Sequence, residues 1–180
     1  MEAYGAGVAA PWQGAADTRD EIGSADAFAD ALIGLVPAAV RLGRVMGLSS
    51  DEAADAVQEA VVRAWRHRDQ LRGPLKPWFL AIVRRRVGRV RRWLTVPAFS
   101  AAVPPTEWPR PEAMDPSLAA AVGALRPRYR AVLWLRYGLD LSTADAAEVL
   151  GISEAAAKQL CLRARAAVRA RLAEDDTSGR

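Results

Sequence analysis

Between Thr95 and Pro116 the chain places six prolines in 22 residues. A prolyl ring fixes φ and removes the amide donor, so neither a continuous helix nor a central strand passes through this stretch. It reads as a partly extended linker over 95–116. It divides the 180-residue chain into two blocks, each with room for one small domain. At 51% hydrophobic and 26% charged, both blocks have enough apolar residues for a core, and disorder throughout is excluded. Arg or Asp interrupts every apolar run well before the ~18 residues a membrane span requires. No membrane association is expected.

The reactive residues are few. Cys161 and His67 are each alone in their type, so no internal disulfide, zinc site or thiol–imidazole pair is available. No metal, cofactor or catalytic cluster is expected, and an enzyme is the least favoured class. The first residues lack a basic start followed by an apolar core, so no signal peptide is visible. The chain reads as reducing and cytoplasmic.

Charge is distributed unevenly. Residues 1–59 carry a net −7, residues 63–93 a net +10 and residues 126–172 a net +5. Only Lys76 and Lys158 are lysines, and a GC-rich genome explains that preference for Arg. It does not explain ten net charges within 31 residues. The pattern suggests an acidic face for a partner and two basic stretches for phosphate.

Hydrophobic spacing predicts helices and no strands. Residues 1–22 lack periodicity and read as a disordered leader. The first domain is expected over 23–94. Ser24 caps a helix with Phe28, Leu32, Leu35 and Val36 on one face, which Pro37 should kink or restart, and which runs to a cap at Gly47. Ser49 and Ser50 open a second helix, with Asp51 and Glu52 in its first turn. Its apolar face is Ala53, Ala54, Val57, Val61 and Trp65. Residues 69–77 read as a loop, and a third helix runs from about Trp78 to Leu94. Trp78, Leu80, Ile82, Val83, Val87 and Val90 form its apolar face, and Arg fills most of the rest.

The second domain is expected over 117–173, followed by a tail at 174–180. Leu118, Ala121, Val122 and Leu125 mark one short helix. Pro127 opens another, with Tyr129, Val132, Leu133, Leu135 and Tyr137 facing inward and Gly138 at its end. Ser142 caps a third helix, with Asp145 placed for a capping box. Gly151 closes it, and Ser153 starts a last helix to about Leu172. A short helix with Ala147 at the crossing, a tight turn and a second capped helix have the layout of a helix-turn-helix. A plain structural helix pair remains the alternative.

The run DEAADAVQEAVVRAWRHRDQL followed by LKPWFLAIVRRRVGRVRRW resembles region 2 of bacterial sigma factors of the extracytoplasmic-function type, in the sigma-70 family. Asp55, Val57, Gln58, Glu59, Arg63, Ala64 and Trp65 match its acidic helix; Trp78, Ile82, Arg84, Arg86 and Arg92 match its basic one. The second block resembles region 4, with Lys158, Arg163, Ala164 and Arg165 in its tail. The resemblance spans about residues 24–172, with the linker in the right place. It implies an all-α chain of two small helical domains, a region 2 bundle and a region 4 helix-turn-helix.

The implied activity is that of an alternative sigma factor, which binds core RNA polymerase and directs promoter recognition and transcription initiation. The resemblance implies that Asp51, Glu52, Asp55, Gln58 and Glu59 dock on the beta-prime clamp helices, and that region 4 meets the beta flap. It assigns Arg84, Arg85, Arg86, Arg89, Arg91 and Arg92 to the −10 element, with Arg72 and Lys76 lining a pocket for a flipped base in loop 69–77. It assigns Ser153, Glu154, Ala155, Ala156, Lys158, Gln159, Arg163 and Arg165 to the −35 element. Promoter DNA is the implied ligand, and an anti-sigma factor a possible partner. The chain departs from the family at 156–160, where Ala156, Ala157, Lys158, Gln159 and Leu160 replace a run richer in polar donors. It departs again at Arg85 and Arg89, where Asn and Asp are common. A helix-turn-helix regulator acting without polymerase, or a sigma-like adaptor that reads no DNA, are the rival readings. Trp65, Trp78, Cys161 and His67 are expected to serve structure before chemistry.

Overall fold

The Ser24 hydroxyl accepts a hydrogen bond from the Ala27 amide at 3.1 Å, the cap that the sequence predicts. A computed structural model describes the backbone of residues 24–94 and 115–178, and side chains over 24–89 and 115–174. The leader read at 1–22 and nearly all of the linker lie outside the described residues.

Helix α1 spans Ala25–Val45 and buries Phe28, Leu32, Leu35, Ala39, Leu42 and Val45 along one stripe. The expected break at Pro37 does not occur, and the helix runs through it. Pro37 and Ile33 both face solvent. The Ile33 carbonyl that loses its helical donor therefore has access to water, while Leu35 and Ala39 pack on the opposite side. Gly47 ends the helix at φ +98, with its N–H on the Arg44 carbonyl and the Leu48 N–H on the Gly43 carbonyl.

Helix α2 spans Ser50–Arg66 and starts with a reciprocal capping box between Ser49 and Glu52. Its buried face is Ala53, Ala56, Val57, Ala60 and Ala64. These small side chains let α1 and α2 approach closely; a Cβ on Gly43 would lie 3.0 Å from that of Ala53. Ala54 and Val61, expected on this face, are half-buried, and Trp65 is 37% exposed. The stripe centres on Ala60 and Ala64, and a helix turns about 100° per residue, which carries Trp65 to its rim.

A 3-10 turn at Arg68–Gln70 leads to α3, Leu75–Leu94. This helix starts three residues before the predicted Trp78. Pro77 sits in its first turn, where a missing N–H leaves no helical bond unmade. Leu75, Phe79, Leu80, Ile82, Val83 and Val87 are buried. Phe79, absent from the predicted face, is among the largest wholly buried side chains. The expected Val90 lies beyond the described side chains.

Asp115 caps α4, Pro116–Gly123, through the amides of Ser117 at 2.8 Å and Leu118 at 3.1 Å, and it also accepts the Ser117 hydroxyl. The Ser117 hydroxyl and those two amides hold its carboxyl below the ordinary value. The helix thus takes the last residue assigned to the linker. Helix α5 spans Pro127–Leu133 and continues into a π turn, Trp134–Gly138. There the Leu139 N–H reaches the Trp134 carbonyl at 2.9 Å. The wider turn shifts the helical phase, so Tyr137, expected inside, is 62% exposed. Helices α6, Thr143–Leu150, and α7, Glu154–Ser178, complete the block. Helix α7 extends past the expected end at Leu172 and takes in the start of the predicted tail.

Helices α1–α3 form one bundle, and α4, α5 and α6 pack on α7. The two blocks do not stand apart. Helix α3 packs on α6 and α1 touches α5, so one buried cluster extends from Phe28 to Ala164.

Candidate nucleic-acid interface

The α6–α7 pair has the geometry of a helix-turn-helix. Ser142 and Asp145 form a capping box at the start of α6. Ala147 and Val149 are buried at the crossing, where Ala147 leaves room for α7. Gly151 adopts φ +65, a conformation that favours glycine, and turns the chain into α7. Ser153 then accepts the Ala156 amide at 3.2 Å. Ala157 and Ala164 anchor α7 inward. Ser153, Glu154, Ala155, Ala156, Lys158, Gln159, Arg163 and Arg165 are all exposed. Cys161 is half-buried with its sulfur 3.8 Å from the Tyr137 hydroxyl, a structural placement.

The basic helix α3 divides its arginines among different tasks. Arg85 and Arg89 are exposed, while Arg84 and Arg86 are half-buried. Arg86 pairs with Glu59 of α2, which joins one residue assigned to DNA with one assigned to polymerase. The side chains of Arg91 and Arg92 lie outside the described residues. Arg72 folds back on its own loop, donating to the carbonyls of Asp69 at 3.1 Å and Leu71 at 3.2 Å. Lys76 lies in the first turn of α3, one residue after its start, and its ammonium donates to the Leu139 carbonyl at 2.6 Å in the other block. Burial pushes the Lys76 ammonium below its ordinary value, against the opposing pull of Asp140 and Asp145. In this arrangement Lys76 joins the blocks rather than lining a loop pocket.

The acidic set falls on the outer face of α2. Asp51, Asp55, Gln58 and Glu59 are exposed, while Glu52 is half-buried and closes the capping box with the Ser49 amide at 2.8 Å. Trp65 lies at the rim of the bundle, its ring tilted against Phe28 at 6.1 Å and covered by the Arg68 guanidinium at 4.8 Å. Trp78 is half-buried against the core, and His67 ends α2.

Sequence reasoning missed the interface between the blocks. Arg130, 4% exposed, donates from Nε to the Val45 carbonyl at 3.0 Å and from Nη1 to the Gly123 carbonyl at 2.8 Å. Both acceptors close helices, where a cation meets the negative end of the dipole. A cavity of about 560 Å³ lies beside it, lined by Met46, Arg84, Pro127, Ile152 and Gln159 among others. It also takes in Arg128 and Arg163, and a second cavity of about 550 Å³ around Arg84 takes in Arg63, Arg85 and Arg89. The basic faces of the two blocks therefore converge. Charge counts alone could mark Arg63 and Arg128 as basic, but not place them in two cavities that share Arg84. Among the described residues no group of three or more His, Cys, Asp or Glu side chains can hold a metal. No described helix is long and apolar enough to cross a membrane.

Two family models match the chain in order, sigma-70 region 2 over residues 34–92 and sigma-70 region 4 over residues 117–168. The chain belongs to the sigma-70 family. Within that family it is similar to the extracytoplasmic-function type, being 36% identical over 152 residues to the ECF RNA polymerase sigma factor SigJ of Mycobacterium tuberculosis. That match covers 71% of this chain and 45% of the relative, so the chain spans about half that relative's length. The sigma-70 fold recurs in solved structures at 23% identity. The sigma factor RpoE in complex with the anti-sigma factor NepR from Bartonella quintana superposes with a TM-score of 0.64, covering 81% of this chain and 96% of that one. CnrH in complex with the cytosolic domain of CnrY superposes with a TM-score of 0.61, covering 85% and 92%. The sigma-70 family recognises DNA, and the two matched regions contain the basic helix and the helix-turn-helix.

Proposed function

We propose that this chain is an alternative sigma factor that binds core RNA polymerase and directs it to promoters. The observation that carries the reading is the ordered match of regions 2 and 4 to the blocks presenting Arg85 and Arg89 on a basic helix and an exposed α7 face. Asp51, Asp55, Gln58 and Glu59 would meet the beta-prime clamp helices, and region 4 the beta flap. Arg85 and Arg89 would hold phosphates near the −10 element, releasing counterions and making binding fall with salt. Gln159 offers the atoms to pair with adenine, and Ala155 and Ala156 can meet thymine methyls at −35. The chain itself makes or breaks no bond; the polymerase supplies the chemistry, in the cytoplasm. An anti-sigma factor is a partner of the same proposal.

The geometry adds a requirement. Elements named −10 and −35 lie roughly 25 base pairs apart, or about 85 Å at ~3.4 Å each. In this arrangement α3 packs directly on α6, and an Arg84 nitrogen comes within 3.1 Å of the position a Cβ would take on Gly151. The blocks must separate to reach both elements. The 20 residues of 95–114 can reach ~70 Å when extended, enough to keep the separated blocks joined.

The test is run-off transcription with purified core polymerase and a randomised promoter library. The expected result is chain-dependent transcripts sharing a promoter sequence, lost in the Arg85→Ala, Arg89→Ala double variant that still captures core. No capture of core by the full chain would overturn the reading. Capture without transcripts would support the adaptor.

A further inference from the structure

Where α1 and α2 lie side by side, the bundle leaves an apolar groove of about 420 Å³. Ala29, Leu32 and Ile33 of α1 form one wall; Val61, Val62 and Trp65 of α2 form the other. Ile33 is 61% exposed and Val62 49%. Large apolar side chains exposed together in a groove, rather than singly, signal an occupant.

We propose that the chain's own leader, residues 1–22, seats Trp12 in this groove. Three observations select it. The first is the point of entry. Ser24 caps α1 one turn before Phe28, and Phe28 touches Trp65 at the groove's end. The second is reach. Ile33 lies nine residues along α1 from Ser24, about 14 Å at 1.5 Å per residue. The twelve residues from Trp12 to Ser24 can span ~40 Å, so the chain can double back with slack. The third is the order of charge and apolarity. Arg66 lines the end of the groove near Ser24, and Arg68 covers Trp65. Reading back from Ser24, the leader first offers Glu21, Asp20, Arg19 and Asp17, a net −2, then Trp12, Val8 and Tyr4. The acidic stretch thus meets the arginines where the leader enters, and the aromatic and aliphatic residues follow into the groove. A second copy of the chain fits less well, because three exposed side chains fall far short of the ~800 Å² per partner that stable association buries.

Val62 points to the same outer side of α2 as Asp55 and Glu59, from the helical period. A seated leader would therefore crowd the face assigned above to polymerase. That consequence rests on the proposed docking; the seating itself does not.

The test needs no polymerase. A benzophenone photo-crosslinker replaces Ile33 in the full-length chain, which is irradiated when dilute, and crosslinked peptides are sequenced by mass spectrometry. The expected result is an intramolecular crosslink to residues 4–12, lost on Trp12→Ala. A crosslinked dimer would overturn the proposal in favour of self-association. A crosslink confined to α1 and α2, or a leader crosslink unchanged by Trp12→Ala, would also overturn it. Ile33 is exposed, so helicity by circular dichroism should be unaltered; if it falls, the crosslinker is placed at Val62 and the same outcomes apply.

Discussion

Arg130 donates its Nε proton to the carbonyl oxygen of Val45, 3.0 Å away and 85 residues earlier in the chain. The same guanidinium reaches Gly123 within its own block. This buried cation meets the carbonyl ends of two helices. It ties region 2 to region 4 at the point where α1 meets α5.

Arg130→Ala should therefore destabilise the chain by about 3 kcal/mol, because both carbonyls lose a charged donor in a buried setting. Urea denaturation followed by circular dichroism measures this. Unfolding within a few tenths of a kcal/mol of wild type would show that the interface does not contribute to stability.

The ion pair between Glu59 and Arg86 is partly exposed, with side chains 53% and 29% accessible. A double-mutant cycle over Glu59→Gln and Arg86→Gln should give a coupling of only ~0.2–1 kcal/mol in folding. Glu59→Gln should weaken capture of core polymerase well beyond that figure. Equal effects on both would assign Glu59 to the fold alone.

Lys76 gives a pH dependence whose sign is set by burial. Its ammonium is held below the ordinary value of 10.5 in the folded chain. The unfolded chain then binds more protons as pH rises through that window, so folding gains stability there. Compared with Lys76→Met, the wild-type chain should gain stability as pH rises through the lowered folded value toward 10.5. Asp115 acts in the opposite range. Its depressed carboxyl supports α4 above the ordinary 3.8, and that support disappears as pH falls through the lower folded value. Asp115→Asn should remove this acid-limb dependence in a pH titration of helicity.

Gly151→Ala should cost about 1–2 kcal/mol, since φ +65 is strained for any residue with a Cβ and Arg84 stands 3.1 Å from where that atom would go. Thermal unfolding measures it. An unchanged midpoint would mean that the turn relaxes and Arg84 withdraws.

Separation of the blocks can be read directly. Dyes on Asp30→Cys and Glu148→Cys, both exposed, in a Cys161→Ala background should show high energy transfer in the free chain. Transfer should drop when core polymerase and promoter DNA are added together. Unchanged transfer in a transcribing complex would rule out opening.

Helix caps were legible in the sequence because they are local. Ser24, Ser49, Ser142 and Gly151 act on amides or dihedrals a few residues away, and the structure places each where the sequence predicts. The helix-turn-helix and the acidic and basic blocks were legible for the same reason, since spacing and charge are properties of the chain. Errors arose where phase or packing decided. The π turn at Trp134–Gly138 rotates Tyr137 outward. Four alanines set the face of α2, leaving Trp65 at the rim. Pro37 stays inside a helix because its solvent side tolerates an unmade bond.

The sequence by itself determined the helices, their capped ends and the separation of an acidic stretch from two basic ones, because each depends on residues close in the chain. Only the tertiary structure decided that the blocks join, with Arg130 bonded to Val45, Lys76 to Leu139 and Arg84 against Gly151. Those contacts link residues between 63 and 85 positions apart, and no local propensity reaches across that distance.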